Sequence, residues 1–97
     1  MATLPIGIFR VAERSMEPSI HEGSYVLVCR WCRSFSPGDV VVLRSPEDGT
    51  VLVKRVKTRG KKGLFVIGDN AAVSRDSRAF GEVAERRIIG KVVYIVG

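Results

Sequence analysis

The sequence has few of the side chains that hold metals or support histidine-dependent catalysis. It contains one histidine, His21, and two cysteines, Cys29 and Cys32. A structural zinc site usually takes four nitrogen or sulfur ligands, so these residues are too few to form one. We therefore expect no metal and no other cofactor. A serine–histidine pair through His21 is available in principle, but no motif supports it.

Long apolar runs are also missing. Apolar runs such as residues 40–43 fall far short of the roughly 20 residues that a membrane-spanning helix needs. Residues 4–9 are apolar, but Pro5 and Gly7 interrupt them. They also lack the charged start and the cleavage site of a signal peptide. We therefore expect a soluble, cytoplasmic chain without a membrane span, and peripheral contact with a membrane stays open.

The two cysteines form the motif Cys29-Arg30-Trp31-Cys32. Redox pairs with this spacing normally open a helix, whereas this pair ends an apolar strand. The sequence therefore favours Cys29 as a small core residue and Cys32 as part of the following turn.

The composition is that of one small globular domain. The 97 residues are 45% hydrophobic, which is ordinary for a folded chain and predicts a single domain over residues 1–97. The net charge of +6 would suit an anionic partner. No nucleic-acid recognition motif accompanies that charge, so nucleic-acid binding is not expected.

Short apolar segments between turn residues dominate the chain. They predict strands at residues 6–12, 25–30, 40–44, 51–57, 64–67 and 91–96, and one helical turn within residues 82–87. The third strand is apolar enough to be buried on both faces. With so little helix, the pattern predicts a mainly β fold, either a small antiparallel barrel or a pair of coiled sheets.

Ser15 lies at an irregular corner near the start of the chain. It is followed by Met16, and Pro18 stands three residues after it. Pro18 fixes its own φ and keeps Glu17 away from helical backbone angles, so the serine hydroxyl can point outward. A hydroxyl is a poor nucleophile unless a partner takes its proton.

Lys54 is the best partner for that proton. In a strand, Leu52, Lys54 and Val56 share one face. Burial between two aliphatic neighbours disfavours the charged form of the amine. A free lysine has a pKa of about 10.4, so only burial can make it a base near neutral pH.

A third polar segment follows the strand at residues 64–67. It contains Gly68-Asp69-Asn70 and then Ser74-Arg75-Asp76-Ser77-Arg78. Asp and Asn side chains stabilise turns by bonding to nearby backbone, so a purely structural loop is one interpretation.

These segments together resemble the signal-peptidase family of serine–lysine endopeptidases. The likeness lies in Ser15-Met16-Glu17-Pro18, in Val53-Lys54-Arg55-Val56 and in residues 68–78, and it extends over most of the chain. The resemblance implies the antiparallel β core of that family. It also implies acyl transfer, with Ser15 as nucleophile and Lys54 as general base. The supporting residues that it implies are Ser74, which orients the amine, the ion pair of Asp76 and Arg78, and Asp69 and Asn70.

The same resemblance implies a protein substrate bound as an extended strand between residues 8–13 and the lysine strand. The residues expected to meet it are Ile8, Arg10, Glu13 and Met16. In many relatives a small hydroxyl residue two positions before the nucleophile donates to the oxyanion. Glu13 stands there in this chain, and an ionised carboxylate cannot donate.

The compact length resembles the soluble maturation proteases of the family, above all those that process nickel-type superoxide dismutase. The implied activity is removal of an N-terminal leader from a protein precursor. Two alternatives remain. One is an autoproteolytic domain of the repressor type, for which the chain before Ser15 leaves little room. The other is a non-catalytic basic β-module that binds an anionic polymer through Lys57, Arg59, Lys61 and Lys62.

Overall fold

The structure is a computed structural model that describes residues 4–97. The six strands are β1 (Ile6–Arg10), β2 (Tyr25–Cys29), β3 (Val40–Arg44), β4 (Val51–Arg59), β5 (Leu64–Ile67) and β6 (Ile88–Val96). The helical parts are one short helix, α1 (Ser77–Phe80), and two single turns of 3-10 helix, Ala71–Val73 and Glu85–Arg87.

All six strands join one antiparallel sheet in the order β1-β2-β6-β3-β4-β5. The predicted mainly β, antiparallel fold with little helix is therefore confirmed, as a single sheet. The β6 strand begins earlier than predicted because Gly90 does not end it. A side chain at Gly90 would collide with the carbonyl oxygen of Cys29 on the neighbouring strand, so glycine allows the two strands to pair there.

Strand β3 lies inside the sheet and is buried on both faces, as its sequence predicts. Val41 and Leu43 face one hydrophobic cluster, whereas Val42 faces the other. A hydrophobic cluster therefore lies on each face of the sheet at β3. The first cluster is completed mainly by Leu52, Val56, Leu64, Val66 and Ile88, and the second by Val11, Met16, Ile20, Val26 and Val28.

Strand β4 changes partners along its length. Residues Val51 to Arg55 pair with β3, and pairing with β5 starts only at Arg55. Within residues 4–97, the first half of β4 therefore has one edge without a strand partner. This open edge faces the segment that follows β1, and it forms one wall of the candidate site.

The cysteines differ from the prediction. Cys29 and Cys32 form a disulfide, with their Cα atoms 5.4 Å apart. The interpretation of Cys29 as a small core residue is therefore wrong, because Cys29 is half-buried and bonded to Cys32. The chain turns at Arg30 and Trp31, directly after β2. That turn, rather than a helix, brings the two Cα atoms within disulfide range.

Candidate active site

Ser15 lies in an irregular segment between β1 and β2 that is anchored in the second core cluster. Val11, Met16 and Ile20 are all buried there, and Ser15 itself is 4% exposed. Met16 is completely buried. The structure therefore places it in the core, with no surface that a substrate could touch, contrary to its predicted role. Its burial instead fixes the backbone next to Ser15.

Lys54 is a completely buried lysine. On β4 it lies between Leu52 and Val56, and it is paired in register with Val41 of β3. Burial lowers the pKa of Lys54, while the charges of Glu13 and Asp76 act to raise it. No ion pair among residues 4–97 involves this amine. The face that the sequence predicted for Lys54 is the face that it occupies.

A chain of hydrogen bonds continues from the amine into the third segment. Lys54 Nζ donates to Ser74 Oγ at 3.2 Å, and Ser74 Oγ donates to Asp76 Oδ2 at 2.6 Å. Asp76 also accepts from the N–H of Gly68 at 2.8 Å and from Arg78 Nε at 2.9 Å. Burial acts to raise the pKa of Asp76, but the bonds from Arg78, Ser74 and backbone N–H groups outweigh it and lower that pKa well below its usual range.

The third segment, residues 68–78, also binds the irregular segment between β1 and β2, residues 11–24, which we call the serine loop. The backbone N–H of Asn70 donates to the carbonyl of Ser15 at 2.8 Å, and its side chain donates to the carbonyl of Arg14 at 3.2 Å. Gly68 packs directly against the Ser15 carbonyl and the Ser74 side chain, where an added Cβ would collide with both. The candidate nucleophile and the partner of Lys54 therefore meet at one glycine.

Asp69 contacts neither Ser15 nor Ser74 through a hydrogen bond in residues 4–97, and it pairs with Arg55 of β4 instead. Its two carboxylate oxygens accept from Arg55 Nε and Nη2, both at 2.9 Å. Arg55 also donates to the carbonyl of Gly38 at 2.7 Å. These bonds lower the pKa of Asp69 and attach its loop to β4. The sequence did not reveal this pairing, although Arg55 follows Lys54 directly.

The two predicted catalytic residues are brought to the same region but are not bonded to each other. Among residues 4–97, no hydrogen bond joins Ser15 to Lys54, and Ser74 holds the amine instead. Catalytic hydrogen bonds are often long in an unoccupied site and tighten when substrate binds.

His21 lies on the surface, with Nδ1 4.0 Å from a carboxylate oxygen of Glu17.

A cavity of about 260 Å³ lies beside Ser15, between the end of β1 and the start of β4. Arg10 and Glu13 line one wall, and Val51 and Val53 line the other. Ile8 is 67% exposed on β1 and does not line this cavity. Two of the four predicted substrate-binding residues therefore lie at the cavity.

Residues 4–97 contain neither a metal-binding cluster nor a membrane-spanning helix. No three His, Cys, Asp or Glu side chains are grouped in a way that could hold a metal ion. No helix in the described part of the chain has the length and apolar character needed to cross a membrane.

The chain is similar in sequence to known peptidases. A family model described as peptidase S24-like matches residues 4–93. The mitochondrial inner membrane protease subunit 2 of Schizosaccharomyces pombe is 33% identical over an alignment 116 positions long, which covers 94% of this chain and 64% of that protein. The chain thus spans less than two-thirds of the length of this relative.

Proposed function

The chain belongs to the S24-like peptidase family, and from this premise we propose that it is a serine endopeptidase with Ser15 as nucleophile and Lys54 as general base. The observation that carries the proposal is the state of the Lys54 amine. It is completely buried, it has no carboxylate partner among residues 4–97, and burial lowers its pKa. A lysine in this state can accept a proton at a pH where an exposed lysine cannot.

The proposed reaction is acyl transfer through a covalent intermediate. Lys54 takes the proton of the Ser15 hydroxyl while the serine oxygen attacks the peptide carbonyl. The lysine then gives that proton to the leaving amine, and an ester joins Ser15 to the acyl half of the substrate. Water, deprotonated by the same amine, cleaves the ester and restores the free serine.

Ser74 has an orienting role in this proposal. It donates its own proton to Asp76, so its oxygen can accept an N–H bond from Lys54. A neutral amine has two N–H groups and one lone pair. If one N–H is held by Ser74, fewer orientations of the lone pair remain, and we propose that it is aimed toward Ser15.

The tetrahedral intermediate also needs hydrogen-bond donors for its oxyanion. The backbone N–H of Ser15 is the proposed first donor, because it belongs to the nucleophile itself. An ionised Glu13 cannot supply a second one from its side chain. We propose that a backbone N–H group near the serine takes that place.

We propose a protein precursor as substrate, bound in an extended conformation along the cavity beside Ser15. One wall is the half of β4 that has no strand partner on that side, and the other is the segment that continues β1. An extended peptide can add to such an edge through main-chain hydrogen bonds. The finer proposal is removal of an N-terminal leader, with nickel-type superoxide dismutase as the candidate precursor. A cytoplasmic location stays a prediction, and the name of the S. pombe relative refers to a mitochondrial membrane.

The decisive experiment is to incubate the purified protein with a leader-bearing precursor of nickel-type superoxide dismutase and, separately, with a degenerate decapeptide library. Mass spectrometry would identify the cleaved bonds. We expect cleavage by the wild type and none by Ser15→Ala. Cleavage of library peptides but not of the precursor would reject the candidate substrate alone. Cleavage confined to the protein itself would favour the repressor-type alternative, and undiminished cleavage by Ser15→Ala would overturn the proposal.

A further inference from the structure

Glu13 lies close to Ser15 and borders two cavities. It lines the cavity of about 260 Å³ next to the serine and also a second cavity of about 280 Å³. Its side chain is exposed and forms no hydrogen bond or ion pair with any residue from 4 to 97. A charged group without a partner at the junction of two cavities is available to a ligand.

The second cavity lies on the side of β4 that carries Leu52. Leu52 and Phe80 give it an apolar floor. Its other two carboxylates already have partners within the protein. The Glu47 carboxylate accepts from Arg75 Nε at 2.7 Å, and the Asp48 carboxylate accepts from the backbone N–H of Thr50 at 3.0 Å. Glu13 is therefore the carboxylate that remains free for a group entering from outside.

We propose, on the basis of the endopeptidase function above, that Glu13 selects substrates with a lysine or arginine side chain close to the cleaved bond. Such a side chain combines an apolar stem with a cationic end, and it buries the stem while its charge stays near water. The stem would pack on Leu52 and Phe80, and the charge would meet the Glu13 carboxylate. A neutral side chain of similar length would gain only the first of these contacts.

The same contact would assist the base. The charges that act on Lys54 come from Glu13 and Asp76, which raise its pKa, and from Arg78, which lowers it. Asp76 is already paired with Arg78, whereas Glu13 is unpaired within residues 4–97. A cation bound by Glu13 would offset its negative charge at Lys54 and favour the neutral amine.

The test compares cleavage preferences of four proteins on the degenerate decapeptide library. These are the wild type, Glu13→Gln, Glu13→Lys and the control Glu22→Gln. Glu22 is an exposed glutamate outside both cavities, and its replacement by glutamine changes the net charge as much as Glu13→Gln does. We expect the wild type and Glu22→Gln to favour lysine or arginine over glutamine at one position by up to about fivefold, the range of a partly exposed ion pair. Glu13→Gln should lose that preference, and Glu13→Lys should favour glutamate there instead. An unchanged preference in Glu13→Gln would overturn the proposal.

A binding measurement separates this inference from the proposed function. Ser15→Ala and the double variant Ser15→Ala/Glu13→Gln would be titrated with two decapeptide pools that differ only by lysine or glutamine at one central position. Tighter binding of the lysine pool by Ser15→Ala, lost in the double variant, supports the role of Glu13 even if the wild type cleaves nothing. Equal binding of both pools, or binding of neither, overturns it whatever the wild type cleaves.

Discussion

Each half of β4 carries a lysine, and the two lysines have opposite surroundings. Lys54 in the first half is completely buried, and its pKa is lowered by that burial. Lys57 in the second half is exposed and leads into a hairpin tip that carries Lys61 and Lys62. Three positions on one strand therefore separate a candidate proton acceptor from ordinary solvated charge. The difference shows that the surroundings of a lysine, rather than the number of lysines, decide what it can do.

The comparison also weakens the alternative of a basic module for anionic polymers. The charge at the tip is partly offset within the protein. Arg59 Nη2 donates to Glu85 Oε2 at 2.8 Å, and the Glu82 carboxylate lies at the tip, where its Oε1 accepts from the backbone N–H of Lys62 at 3.0 Å. Exposed pairs of this kind contribute little to stability, but they reduce the local positive field.

The largest expected effect comes from replacing the lysine of each half by methionine in turn. Lys54→Met should lower peptide cleavage by about 10³-fold or more, because it removes the general base. Lys57→Met is the matched control and should leave the rate unchanged. Library cleavage followed by mass spectrometry measures both. Equal rates for the two variants would abolish the distinction between the halves.

Lys54→Met should not lower stability, although it should abolish most of the activity. The folded protein holds the pKa of Lys54 low, so the unfolded chain binds the proton more strongly below the ordinary lysine pKa of about 10.4. Lys54 therefore lowers stability near neutral pH, and that cost falls as the pH rises. We expect thermal unfolding to give a Tm for Lys54→Met that is not below that of the wild type. A large fall in Tm would mean that lost activity reflects unfolding.

The next largest effect concerns the ion pairs near the first half of β4. Asp76→Ala should lower the free energy of unfolding by about 2–4 kcal/mol, because it leaves partners of a buried carboxylate unsatisfied. Glu47→Ala breaks the exposed pair with Arg75 and should leave the Tm unchanged. Asp76 has a folded pKa far below the unfolded value of about 3.9, so its contribution is present above pH 4 and is lost as the pH falls. The wild-type and Asp76→Ala unfolding curves should therefore converge in strong acid.

A smaller effect is expected at Ser74. Ser74→Ala keeps the base but removes the acceptor that orients its amine, and we expect the cleavage rate to fall about 10-fold to 100-fold. Ser77→Ala is a suitable comparison, because Ser77 Oγ accepts from the N–H of Val66 and does not contact Lys54. Ser77→Ala should lower the Tm, because it removes the partner of the Val66 N–H, but it should leave the cleavage rate of the folded protein nearly unchanged. A rate for Ser74→Ala equal to that of the wild type would remove its orienting role.

The pH dependence should report the burial of Lys54 directly. The cleavage rate should rise with pH along a limb that lies below the ordinary lysine pKa of about 10.4. Lys57→Met should leave that limb in place, whereas Glu13→Gln should move it to lower pH by removing a charge that raises the pKa of Lys54. A limb at the ordinary lysine pKa would contradict a buried, neutral base.

The smallest expected effect belongs to the hairpin tip. Replacing Lys57, Lys61 and Lys62 together by glutamine should leave cleavage of the decapeptide library within about twofold of the wild type. Nucleic-acid binding measured at two salt concentrations provides the opposite test. Tight, salt-sensitive binding that persists in Ser15→Ala and disappears in the triple variant would favour the basic module.

Much of the fold was accessible from the sequence because strand alternation is a local signal. The bounds of β3 and β5 match their predictions, and Lys54 occupies its predicted face. The short helix α1 was missed, although Asp76 accepts from the backbone N–H of Arg78 as an N-cap does. Four residues give too little periodicity to detect.

The contacts that the sequence could not supply are those between distant segments. The pairing of Arg55 with Asp69 and the bond from Asn70 to the Ser15 carbonyl join residues far apart in the chain. Neither has a local pattern, because each depends on how β4 and the serine loop approach the segment after β5. The disulfide was missed for a different reason, because its two cysteines are only three residues apart and a turn without a recognisable pattern brings them together.

The hydrogen bonds from Arg78 to Asp76 have a consequence for the electrical state of the base. A buried amine close to a lone carboxylate would form a salt bridge and keep its proton. Here a guanidinium already saturates that carboxylate, and a hydroxyl separates it from the amine. Arg78 thus offsets the negative charge of Asp76 close to Lys54, and we expect its loss to raise the pKa of this proposed base and to favour a charged amine.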